Sequence, residues 1–170
     1  MDEIRVDIQE MVRRLRLPNR DEVDIFAIPD AIDFLEYIDD SYANEKPFLV
    51  AQLKESDDDE TISFIICVLR IINNTLDEEI IEILGKKIDI IIKQNQFYYS
   101  KWYILKYFSI QGAKFKAIII PILLKVISSD FISSSQYSAF RILWKWLGFW
   151  KAVSAVRKGS YIVPEETLKK

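Results

Sequence analysis

Histidine is absent from the chain. Its absence removes Ser-His-Asp and Cys-His nucleophile pairs, an imidazole general base, and any His-ligated zinc, iron or haem. Cys67 is the sole cysteine, so neither an intrachain disulfide nor a multi-cysteine metal site can form. It lies between Ile66 and Val68 in an apolar run and reads as a buried, inert thiol. Asp57-Asp58-Asp59-Glu60 is a dense run of oxygen ligands. It lacks the glycine and the spaced glutamate of an EF-hand loop. Its expected work is to lie at the positive N-terminal end of the next helix. The four glycines are scattered, which leaves no P-loop, dinucleotide-binding turn or nucleophile elbow. No cofactor or metal is expected, and the chain does not read as an enzyme.

Charge offers a second kind of chemistry. Residues 1–60 hold 18 acids and 7 bases, whereas residues 97–170 hold 3 acids and 12 bases. The modest overall charge of −3 therefore joins a strongly acidic half to a strongly basic one. Such asymmetry points to charged partners. On the acidic side the candidate partner surface is Asp30, Asp33, Glu36, Asp39, Asp40, Asp57, Asp58, Asp59 and Glu60. On the basic side it is Lys101, Trp102, Lys106, Arg141, Lys145, Trp146, Trp150 and Lys151. All four tryptophans (Trp102, Trp144, Trp146 and Trp150) fall in the basic half. They can pack a core or anchor a partner.

These residues must be positioned by helices. The 28 isoleucines would suit strands, so periodicity decides. Ile4, Ile8, Met11, Val12 and Leu15 recur at helical spacing over 2–17, and Pro18-Asn19 ends that helix. Pro29 opens an acidic helix with the stripe Ile32, Leu35, Ile38 and Tyr42, and Pro47 opens another to about Lys54. Further helices are expected over 61–73, from a Thr75/Glu78 capping box to about 93, and over 97–110. Lys114 starts one to about 127, which Pro121 should kink or truly begin. Ser133 to Ser135 cap a helix over about 136–146 that continues after Gly148 to about 157, with Gly159 as its C-terminal cap. A short strand over 88–92 is the local alternative. Few glycines and prolines argue against a sandwich or barrel.

Three segments align at offsets of 37 and 38 residues, beginning at Ile62, Tyr99 and Tyr137. Each would be a helix pair. The run Ala117-Ile118-Ile119-Ile120-Pro121-Ile122-Leu123-Leu124-Lys125-Val126-Ile127, followed by Ser128-Ser129-Asp130, resembles the second helix of a HEAT-type repeat and its acidic link. Residues 139–148 resemble the first helix of the following unit, with Arg141 and Arg70 loosely matching the usual arginine. The resemblance covers about 58–158. It implies an all-α fold, a short right-handed α-solenoid of antiparallel helix pairs. An irregular helical bundle is the alternative. The expected layout is one helical domain over 1–158, with acidic helices over 1–56, three helix pairs over 57–158 and a tail over 159–170. In HEAT-like DNA glycosylases an Asp is paired with aromatics on a basic face. Asp130 is the only acid between Asp89 and Glu165, but a loop or capping role is the local reading.

Solenoids chiefly offer extended binding surfaces, so a non-enzymatic protein-binding module is expected. Small acidic helical proteins of this kind resemble the immunity or antitoxin class. That resemblance implies a basic toxin domain as partner, with its active site covered by the acidic surface. The alternative is a nucleic-acid-binding repeat protein that uses the basic, aromatic half. A third arrangement pairs the acidic half of one copy with the basic half of another. The first ten residues carry four acids, unlike a secretory signal, and the longest apolar run, 117–124, is too short to span a bilayer. A cytoplasmic protein with no membrane partner is expected.

Overall fold

In the computed structural model the described residues are 7–16, 34–72, 77–94, 99–129 and 133–161. Among them are eight α-helices, three 3-10 turns and no strand, so the fold is all-α. The chain divides into two compact units, residues 1–75 and 76–170. None of the described helices is long and apolar enough to cross a membrane.

In the first unit, helix α1 (Ile8–Leu15) opens on Asp7, whose carboxylate accepts the Glu10 backbone N–H at 2.9 Å. That bond satisfies one of the donors a helix start leaves unpaired. Ile8, Val12 and Leu15 are buried, which is the stripe their spacing implies. The expected acidic α-helix is corrected here: the chain forms two 3-10 turns instead, Phe34–Tyr37 and Asp40–Glu45. Asp39 is the reason. Its backbone is extended (φ −138°, ψ −167°), and its carboxylate accepts the Ser41 N–H at 2.9 Å and the Ser41 hydroxyl at 2.5 Å. A side chain bonded this way gives the backbone an alternative to continuous helix. Ile38 and Tyr42 of the expected stripe are buried all the same. Pro29 and Ile32 lie outside the described residues.

Helix α2 (Lys46–Glu55) starts at Pro47 as its fixed φ favours, and it buries Leu49, Val50 and Leu53. Helix α3 (Asp59–Ile72) starts under the acid run. Asp58 accepts the Thr61 N–H at 2.8 Å and the Thr61 hydroxyl at 2.5 Å. Every residue from 61 to 69 is buried, Cys67 included. Helix α3 packs on α1, on α2 and on the Asp40–Glu45 turn.

In the second unit, α4 (Glu78–Gln94) is capped by Asp77, which accepts the Ile80 N–H at 2.9 Å. This corrects the expected cap at Thr75, which lies outside the described residues. Helix α5 (Tyr99–Gln111) leads through the 3-10 turn Gly112–Phe115 into α6 (Lys116–Ser128). Pro121 neither starts nor ends α6. Its ring lies on the exposed side and the helix runs through it. Helices α7 (Ser133–Leu147) and α8 (Phe149–Lys158) are separated by Gly148 at φ 81°, ψ 158°, a region that is essentially glycine-only. Gly159 ends α8 in the left-handed conformation (φ 64°, ψ 12°), as expected of a C-terminal glycine.

Packing in this unit alternates along the chain. Helix α4 packs on α5 and α6, α5 on α7, α6 on α7 and α8, and α7 on α8. The core is Ile80, Ile81, Leu84 and Ile88 of α4, Ile104, Tyr107 and Phe108 of α5, Ile119, Ile120 and Leu123 of α6, and Leu143 of α7. Ala152 and Ala155 give α8 a small-residue face that is fully covered. Two polar links tie elements together. Lys125 of α6 meets Asp89 of α4 at 2.8 Å, and the Gln136 side-chain amide of α7 donates to the Ile127 and Ser129 carbonyls at 3.1 and 2.5 Å.

Candidate functional site: a basic, aromatic groove

Helix α5 presents Trp102, Lys106 and Ser109 at i, i+4 and i+7, which is one helical face. Helix α7 presents Ser138, Arg141, Trp144 and Lys145 at the corresponding i, i+3, i+6 and i+7 positions. Because α5 and α7 pack side by side, these faces line a groove of about 650 Å³ with Leu105 and Ile142 as its buried floor. Trp102 is 51 % exposed and Trp144 49 % exposed. The Lys106 ammonium lies 4.7 Å from the centre of the Trp102 ring, and the Arg141 guanidinium lies 5.8 Å from that of Tyr137. Both are cation–π distances. Phe149 meets Trp144 edge-on at 5.3 Å and Trp150 at 5.2 Å, so the aromatic surface continues onto the start of α8.

Among the described residues no acid lines the groove, and none from 99 to 161 is Asp or Glu. The groove's described charged lining is Lys106, Arg141 and Lys145, whose field acts on whatever enters. The Ser138 hydroxyl at its edge donates to the Ser134 carbonyl at 2.8 Å. The capacity of the arrangement is to hold an anionic group beside a flat apolar one.

Of the residues expected on the basic surface, Trp102, Lys106, Arg141 and Lys145 are brought together here. Trp150 is 80 % exposed and Lys151 is exposed, both on α8 outside the groove lining, while Trp146 is half-buried. Lys101 is a correction: it is only 3 % exposed and faces inward, because its neighbour Trp102 takes the outward position. Successive residues on a helix point about 100° apart, and here that turn carries Lys101 into the packed side of α5 while Trp102 stays in solvent. Sequence reasoning did not single out Trp144, Ser109 or Ser138 for this surface. The signal was available in the alignment of the segments at Tyr99 and Tyr137, which makes α5 and α7 equivalent, neighbouring helices.

The acidic candidates behave differently. Glu36, Asp39, Asp40 and Asp57 are exposed, and Asp58, Asp59 and Glu60 are half-buried at the start of α3. Two of these carboxylates have structural work: Asp39 binds Ser41, and Asp58 binds Thr61. The Ser41 hydroxyl and N–H hold the Asp39 carboxyl below its ordinary range. Asp30, Asp33 and Asp130 lie outside the described residues. Among the described residues no three carboxylates or thiols converge as a metal site.

A larger groove of about 960 Å³ lies in the first unit, lined by Glu10, Arg13, Arg16, Tyr42, Glu45 and Gln52 among others. Its polar groups answer one another. Glu10 bridges Arg13 and Arg14, both at 2.6 Å, Gln9 donates to Glu45 at 3.0 Å, and Arg16 donates to Gln52. The two arginines hold the Glu10 carboxyl at about 2, against an ordinary 4.5. A groove whose charges are already neutralised presents little to a ligand, whereas the α5–α7 groove presents cations and indoles together. In comparison with known proteins, the chain matches no family model, no curated protein and no solved structure.

Proposed function

We propose that the chain is a binding protein with no reaction of its own. In this reading it is built as a short right-handed stack of helix pairs resembling HEAT-type repeats, and it docks an anionic partner in the α5–α7 groove. The stacking is supported by the alternation in the second unit, where α4 packs on α6, α5 on α7 and α6 on α8. A stack of helix pairs needs such contacts, since each pair buries its apolar face only against the next. The observation that carries the docking surface is the half-exposed pair Trp102 and Trp144 beside Lys106, Arg141 and Lys145, with no acid among the described lining residues. Large indoles left in water at a groove are the residues that dominate interface energies.

A second reading is an immunity-type protein that covers a basic toxin domain with its acidic first unit. Residues 1–75 hold 18 acids against 8 bases, and Glu36, Asp39, Asp40 and Asp57 are exposed. Opposed charge would speed association strongly and would be weakened by salt. This reading stands second because Asp39 and Asp58 are engaged in local capping.

The two readings separate in a pull-down from the native host with three baits. These are the wild type, a Trp102→Ala/Trp144→Ala variant and a Glu36→Lys/Asp40→Lys/Asp57→Lys variant. The groove reading expects the partner to be lost with the tryptophan variant and kept with the lysine variant. The reverse pattern would replace it with the acidic-cover reading.

A further inference from the structure

The groove has a chemistry that selects among anionic partners. Building on the reading of the groove as the docking surface, we infer that its ligand is single-stranded nucleic acid. Trp102 and Trp144 serve as stacking surfaces for unpaired bases, and Lys106, Arg141 and Lys145 serve as phosphate contacts.

Charge argues for a polyanion. Between residues 99 and 161 the described chain carries ten Lys and Arg and no acid, and of these ten Lys101 is buried. Lys125 is paired with Asp89, and the other eight are spread along α5, the 112–115 turn, α6, α7 and α8 instead of meeting at one point, which suits a ligand with regularly repeated charge. The acidity of the whole chain does not oppose this. Residues 76–170 hold 15 bases and 8 acids, a net of +7, while the acids concentrate in 1–75. Screening over about 8 Å at physiological salt makes the local lining decide.

The aromatics argue for bases that are not already stacked on one another. Besides Trp102 and Trp144, Tyr137 is 61 % and Trp150 80 % exposed. A cation lies over each of two of these rings: Lys106 over Trp102 and Arg141 over Tyr137. A base resting on an indole therefore has its own phosphate near a lysine or arginine, the pairing used by proteins that track single strands. A duplex hides its base faces and offers only phosphates to such a groove. A volume of about 650 Å³ admits a few nucleotides and no duplex.

The test uses the full chain and an oligothymidylate of about twelve nucleotides, within the usual site sizes. Tryptophan quenching and the anisotropy of a labelled strand are read at about 50 and 200 mM salt. Quenching and binding are expected at the lower salt. Three phosphate contacts at roughly 0.7 each give a log–log salt slope of about −2. Trp102→Ala and Trp144→Ala should each weaken binding by about tenfold, within the 5- to 150-fold typical of a lost stacked base. Trp102→Phe and Trp144→Phe should retain much of it, which guards against misfolding of the alanine variants. The same-sequence duplex should bind more weakly than the single strand.

Absence of binding at the lower salt overturns the inference, and so does a duplex that binds as well as the single strand. A polyglutamate peptide is titrated in parallel. Peptide binding that depends on Trp102 and Trp144, with no oligonucleotide binding, would reject nucleic acid and leave the groove reading standing. Failure of both probes would reject both.

Discussion

Gly148 sets the corner between α7 and α8, and its replacement by alanine is expected to destabilise the protein for a reason confined to the backbone. At φ 81°, ψ 158° it occupies a region closed to residues with a Cβ. An added Cβ would meet no atom within 4 Å, so neither a clash nor a packing gain enters the estimate. The strain amounts to about 1–3 kcal/mol. Against it stands about 0.4–1 kcal/mol from the stiffer unfolded chain. Central values leave a net loss of about 1.3 kcal/mol, which lowers Tm by roughly 3–5 °C in a chain of this size. Gly85→Ala is the control. Gly85 lies inside α4, where alanine is favoured by about 1 kcal/mol. Its new Cβ would meet the Ile122 Cδ1 at 2.9 Å, the tip of a half-buried side chain that can turn away, and the Ile122 Cγ1 at an ordinary 3.5 Å. Differential scanning calorimetry of the two variants should give a lower Tm for Gly148→Ala and an unchanged or slightly raised Tm for Gly85→Ala. A Gly148→Ala protein that melts at or above the wild-type temperature would refute the reasoning. It would mean that the α7–α8 corner is not held in this conformation.

Three further outcomes follow from particular contacts. Asp58→Ala removes the acceptor for the Thr61 N–H and hydroxyl and should lower stability by about 1 kcal/mol, measured by urea unfolding; Asp58→Asn should recover most of the loss. Glu10 has a folded-state pKa depressed to about 2, so the stability it contributes is present above pH 4.5 and is lost as the pH falls towards 2. Glu10→Gln should therefore be less stable than wild type at neutral pH by circular dichroism melting, with the gap closing over that window and narrowing in high salt, since the pair is exposed. Leu123→Ala, at a fully buried α6 position, should cost about 2–5 kcal/mol in urea unfolding, whereas Ile110→Ala, 58 % exposed on α5, should change little.

How much of this was readable in advance depends on how strongly each segment's pattern discriminates. Helix α1 was legible because Ile8, Val12 and Leu15 recur on one face and charges occupy the rest. Gly159 was legible because a helix end needs a left-handed residue. The stretch around Asp39 misled because its apolar spacing is helical, while the decisive bond to Ser41 is a local competition that spacing does not record. The sequence around Gly148 predicts a helix that continues past it, yet its conformation turns the chain into a separate helix. Helix α5 was the hardest to orient. Trp102, Tyr103, Ile104, Tyr107 and Phe108 surround its axis, so no side stands out as the inward one. That is why Lys101 and Trp102 were placed on the same surface, when packing sends one in and the other out. The residue types of the groove were therefore legible, and their grouping required the packing of α5 on α7.

The α5–α7 groove is aromatic, open to solvent and set among cations. All four tryptophans lie in the second unit, so fluorescence quenching by iodide and by caesium at matched ionic strength reads that surface directly. With Trp102, Trp144 and Trp150 exposed and no acid described nearby, iodide should be drawn in and should quench several-fold more strongly than caesium, and Trp102→Phe/Trp144→Phe should remove much of the difference. Equal quenching by the two ions, stronger quenching by caesium, or resistance to both would contradict the account.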